Sequence, residues 1–198
     1  MTLTWCCMNK TDFNEVLDEL GPVVADYLSK EMKLSFPEII VPSIHFEICT
    51  LDHLEKVMSW PDTSAFKDGY GGWSWEKIYH KSKYSPEKFI VAVSSNGVFG
   101  GLFSGKLLAS EVELQYVQRD VRCHSLKGNM ISASIIYSAF LGSAMSRDFV
   151  SVCEPAPAVV WSYARAMKSS VTYEYDNGGA ILRMRVPSGE IVTPPPDN

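Results

Sequence analysis

Two short stretches of this chain hold residues whose types and spacing suit chemistry. The first is Ser125-Leu126-Lys127-Gly128-Asn129-Met130, which stands directly before a run of small residues with helical character. Backbone N–H groups at a helix N-terminus lack partners and carry partial positive charge, so such a turn can hold a phosphate. Gly128 lets the backbone approach closely, and Lys127 adds a full charge. His124, in the same loop, is either solvated or within reach of a phosphate or substrate. The second stretch is Glu111 to Arg119, where Glu113 and Gln115 sit on a strand expected near the middle of a sheet. Charge there is costly unless it is paired or opens on a cleft. Glu113 therefore either pairs with Arg183 or Arg185 of the last strand, or faces a cleft where it can take a proton. His45, His53 and His80 show no ligand spacing, so no metal site is expected.

These residues need elements to position them. Asp12 caps a first helix that ends at Gly21, and Pro22 opens a second that ends before Phe36-Pro37. Residues 1–42 thus read as a helical N-terminal extension. From Ser43 the pattern alternates, with Ile44, Phe46 and Ile48 on one face of a strand. Thr50 or Asp52 then caps a helix over 51–60, with Leu51, Leu54, Val57 and Met58 facing inward. Residues 61–87 form a long loop or a loop with a short helix, rich in aromatics (Tyr70, Trp73, Trp75, Tyr79, Tyr84), with the basic run Lys77, Lys81, Lys83, Lys88 close by. Trp and Tyr there can line an acceptor pocket or bind a partner. The lysines are a solvated face or a seat for an acidic acceptor.

Phe89–Val93 and Val98–Leu108 read as strands joined by an Asn96-Gly97 hairpin turn. In Glu111–Arg119, Val112, Leu114 and Tyr116 share one face, and Glu111, Glu113 and Gln115 the other. A helix from Met130 to about Arg147, a strand Phe149–Cys153, a helix introduced by Pro157 and a terminal hairpin with its turn at 176–179 complete the order. Residues 187–198 form a tail. Strands alternating with helices after an antiparallel meander indicate an α/β protein with a mixed, mostly antiparallel central sheet flanked by helices.

Composition bounds the function. With 198 residues, 46% of them apolar, and a net charge of −5, the chain has ample core and is not a disordered protein. No apolar run approaches the roughly 20 residues of a membrane span. The five cysteines make an odd count without CxxC spacing, and the N-terminus lacks a signal-peptide layout, which together point to a reducing cytoplasm. An acidic chain is a poor general binder of nucleic acid.

The element order over 43–186 resembles the GNAT (N-acetyltransferase) superfamily. That family binds an acyl-CoA pyrophosphate on a strand–loop–helix unit with the pattern Gln/Arg-x-x-Gly-x-Gly/Ala. The matching stretch here is Glu111–Arg119 followed by Ser125, Leu126, Lys127, Gly128, Asn129 and Met130. Gly128 holds its place in the pattern, while Ser125 and Met130 stand at the other two. The resemblance implies acetyl-CoA as co-substrate, with its thioester beside the Tyr116–Val117 backbone, Glu113 as base and Tyr163 as acid. Tyr163 falls about one turn before the family's tyrosine position, which holds Ala166 here. The expected activity is transfer of an acetyl or other acyl group to a small-molecule or peptide amine. Two further readings stand beside it: an inactive GNAT-like binding or assembly module that forms an oligomer or meets a protein partner through residues 60–88, and a phage-type acyltransferase-like enzyme acting on nucleic-acid bases.

Overall fold

The structure is a computed structural model that describes residues 8–35, 38, 41–61, 72–168, 171–176 and 179–187. Cys6, Cys7, Phe36-Pro37, Tyr70, the turn residues Asn177 and Gly178 and the tail from 188 lie outside the described residues.

The N-terminal segment is one helix, α1 (Lys10–Ser35), rather than two. Its buried side chains, Phe13, Leu17, Leu20, Val24 and Leu28, form a single stripe that runs past Gly21 and Pro22 without a break. Gly21 keeps the helix going because it lies on the next strand, β1 (Ile44–Ile48). A Cβ there would meet the Phe46 carbonyl oxygen at 2.6 Å. Pro22 faces solvent, where the lost backbone bond is tolerated.

After β1, helix α2 (Leu51–Val57) is capped at Thr50, whose N–H donates to His53 Nδ1 at 3.1 Å. Its apolar side differs from expectation: Leu51 and Met58 are exposed, because that side looks onto a cavity instead of packed core. Helix α3 (Trp75–Ser82) lies inside the aromatic segment. Strands β2 (Lys88–Ser95) and β3 (Val98–Leu107) meet at the Asn96-Gly97 turn, both residues at positive φ. Then follow β4 (Glu111–Arg119), α4 (Met130–Ala144), β5 (Phe149–Cys153), α5 (Val160–Ala166), β6 (Val171–Asp176) and β7 (Gly179–Arg185).

The seven strands make one sheet in the order β1-β2-β3-β4-β5-β7-β6. Every neighbouring pair is antiparallel except β4 and β5. Alternation along β2 divides the core. Phe89, Val91 and Val93 join α1, α4 and α5 on one face, while Ile90 and Ala92 join Leu54 and Trp75 on the other. This is the mixed α/β sheet flanked by helices that the sequence pattern implies.

Candidate active site

The parallel pair β4–β5 sits at mid-sheet, and it is short. Glu111 to Leu114 pair with Phe149 to Val152, and beyond Leu114 the two strands part. Parting begins at a bulge in β4. Ser104 of β3 faces Tyr116 and Gly105 faces Leu114, so Gln115 is the extra residue. Gly105 permits it, since a Cβ there would meet the Glu113 carbonyl oxygen at 2.5 Å.

The bulge reverses the faces of the strand. Val112 and Leu114 pack beneath α4, but Tyr116 lies on the other side, with Trp73 across its ring at 5.0 Å. Strict alternation had put Tyr116 with Val112 and Leu114; one inserted residue shifts the period and overturns that expectation.

Between the parted strands is a cleft of about 460 Å³. Glu113, Gln115, Tyr116 and Val117 of β4 line it, with Cys153 at the end of β5, Tyr163 of α5 and Trp73. Four sequence candidates from two elements, Glu113, Tyr116 and Val117 of β4 and Tyr163 of α5, thus meet in one cavity.

Among the described residues Glu113 has no arginine partner. Arg183 Nε binds Glu111 Oε2 at 3.0 Å and its Nη1 binds Glu174 Oε2 at 2.8 Å, while Arg185 stands over the Phe149 ring. The expected pairing of Glu113 with the last strand does not occur, because the neighbouring carboxylate, Glu111, takes that place. Glu113 instead accepts from Gln115 Nε2 through Oε1 at 2.5 Å and from Cys153 Sγ through Oε2 at 3.6 Å. Burial, then the charge of Glu113, push the Cys153 thiol up to about 12, so it stays protonated at neutral pH.

Tyr163 is 7% exposed, and its hydroxyl has no hydrogen-bond partner among the described residues. Burial raises its pKa, which keeps it a proton donor. Ala166, one turn later, lines a different groove against α4 and β7. The cleft position on α5 therefore belongs to Tyr163.

The loop before α4 is shaped by three charged residues that are not among the candidates read from sequence. Arg119 donates to the carbonyls of Asp120, Val121 and Cys123 at 2.8, 3.1 and 3.0 Å. Arg122 pairs with Asp120 at 2.8 Å and also reaches the Ser59 carbonyl. Hydrogen bonds from Arg122 hold the Asp120 carboxyl below its ordinary range. The Asp-x-Arg spacing was the available signal.

Of the expected phosphate turn, Leu126 (0% exposed) and Met130 (5% exposed) put their side chains into the core. The N–H groups of Leu126, Lys127 and Asn129 are also spent, on the carbonyls of Cys123, His124 and Leu126. The turn is a single 3-10 turn here, and its internal bonds consume those donors. Gly128 is at φ +79° with open space where a Cβ would lie. Its N–H and those of Met130, Ile131 and Ser132 make no hydrogen bond among the described residues. Lys127 and His124 are exposed beside them. The unspent N–H groups thus run from Gly128 into the first turn of α4, and the Ser125 N–H is likewise without a hydrogen bond among the described residues.

No family model matches the chain, and no curated protein matches it. Solved structures do. The GNAT domain of S. lividans PAT superposes with a TM-score of 0.54 at 14% identity, over 74% of this chain and 94% of that one. Ard1 from Thermoplasma volcanium gives 0.51 at 13% identity, over 74% and 99%. The chain has the fold of the GNAT acetyltransferases.

Proposed function

We propose that this chain is an N-acyltransferase that moves an acetyl or similar acyl group from acyl-CoA to an amine. The observation that carries it is the parted β4–β5 pair, whose gap holds Glu113 and Tyr163 and lies beside a helix start with unused N–H groups. Those groups, with Lys127, supply the charge complement of a pyrophosphate. Acyl-CoA, when bound, brings an activated carbonyl.

The chain's own residues handle the protons. The amine nitrogen forms the new C–N bond as the C–S bond breaks. Glu113 takes the proton that the nitrogen sheds, and the Tyr163 hydroxyl gives one to the departing sulfur. Gln115 and Cys153 each hold one oxygen of Glu113, which fixes the direction of its free lone pairs. No metal or redox step enters.

Millimolar acetyl-CoA should raise the melting temperature of the wild type, and Gly128→Glu should abolish that shift by putting a like charge and a strained side chain on the anion turn. Glu113→Gln should keep the shift and lower kcat by about 10²-fold or more. A wild type that shows no shift overturns the proposal and favours the inactive binding module in its place.

A further inference from the structure

On the far side of Trp73 lies a second cavity, of about 470 Å³, set between α2, residues 72–76 and β4. Trp73 lines both cavities. Trp60 and Trp75 form other walls, and Glu55 and Glu76 supply carboxylates. Among the described lining residues none is a lysine or arginine, and His80 lies 4.0 Å from Glu76; Lys77 and Lys81 of α3 are exposed and do not line the cavity.

The indoles are fixed. Trp75 is 3% exposed and its Nε1–H donates to Gln118 Oε1 at 2.7 Å. Trp73 rests on Tyr116, and Trp60 on Phe99 at 5.4 Å. A cavity with rigid indole walls and two carboxylates among its described lining residues favours one class of occupant. Indole faces attract an organic cation, carboxylates add to that attraction, and fixed walls lose little entropy on binding.

We infer that this cavity seats the distal end of the acceptor and selects amines that carry a second positive charge. The reacting nitrogen faces Glu113 on one side of Trp73, and a second ammonium or guanidinium group sits among Glu55, Glu76 and the indoles on the other. An anionic acceptor meets two carboxylates here, so the lysines of α3 are a solvated face. The assignment to an acceptor rests on the acyltransferase reading, whereas cation binding in the cavity does not.

The test uses the full chain without acyl-CoA. A linear alkane diamine, the monoamine of equal carbon number and the matching dicarboxylate are titrated by calorimetry, with tryptophan fluorescence as a second readout. The diamine should bind about tenfold or more tighter than the monoamine, and the dicarboxylate not at all. Glu55→Gln combined with Glu76→Gln, both on exposed side chains, should erase the preference, whereas Gly128→Glu should leave it intact. Equal affinity for the two amines, or tighter binding of the dicarboxylate, overturns the inference. A retained diamine preference in a protein that gives no acetyl-CoA shift supports the cation site and removes only its link to acyl transfer.

Discussion

At the scale of single residues, the decisive fact is which carboxylate has a cation. Glu111 and Glu113 lie on one face of β4, two residues apart, and only Glu111 takes Arg183. Glu113 is left to the cleft, with Gln115 and Cys153 for company. This neighbourhood can be measured without knowing any substrate. A thiol raised to about 12 has a thiolate fraction about 10³-fold below that of an ordinary cysteine; the greater nucleophilicity of a high-pKa thiolate offsets part of this, so Cys153 should alkylate more than about tenfold more slowly than a free thiol at pH 8. Glu113→Gln should speed it, because removing the carboxylate removes part of what opposes ionisation. Site-resolved mass spectrometry gives the rate, and a wild-type rate within tenfold of a free thiol would contradict the arrangement. The candidate types were legible in the sequence; the partner of each was not, since Arg183 is equally plausible for either glutamate until the register is known.

At the scale of elements, α1 and β4 show how local rules yield to packing. Gly21-Pro22 is a strong stop signal, yet α1 runs through it because the apolar stripe on both sides faces one core. The two residues should respond to substitution in opposite directions. Gly21→Ala improves helix propensity by about 1 kcal/mol but drives a Cβ onto a backbone carbonyl of β1, which cannot swing aside as a side chain would. A net loss of about 1–3 kcal/mol is expected. Pro22→Ala, at an exposed position, should raise the melting temperature. Thermal unfolding of both variants decides it, and a stabilised Gly21→Ala would refute the contact with β1. In β4 the strand's limits were readable from alternation, but the bulge was not, because its cause is Gly105 on a different strand.

At the scale of the whole molecule, α1 is stitched to the sheet at its first residue. Lys10 Nζ donates to the Lys88 carbonyl at 2.5 Å, and burial lowers its pKa from 10.5 to about 8. Its folded pKa lies below the unfolded one, so the unfolded chain binds more protons between those values and stability rises with pH across that window. The penalty for burying the ammonium is fully present below about pH 8. The stability gap between wild type and Lys10→Met, followed by denaturant unfolding, should therefore move in favour of wild type from pH 8 to 10. A gap independent of pH would show that Lys10 is solvated.

The sequence by itself determined the order of strands and helices from Ser43 onward, the Asn96-Gly97 turn, and the mixed α/β class. Each of these is written in local periodicity, capping and turn chemistry, which neighbours along the chain decide. It also supplied the residue types that the proposed chemistry needs: Glu113, Tyr163 and a glycine before α4. Only the tertiary structure decided that β4 and β5 part after Leu114, that Tyr116 changes face, that Tyr163 rather than Ala166 fronts the cleft, and that three tryptophans line a second cavity. Those facts come from pairings between distant segments, where one inserted residue or one bare glycine on another strand resets the geometry, and no pattern within a single segment encodes them.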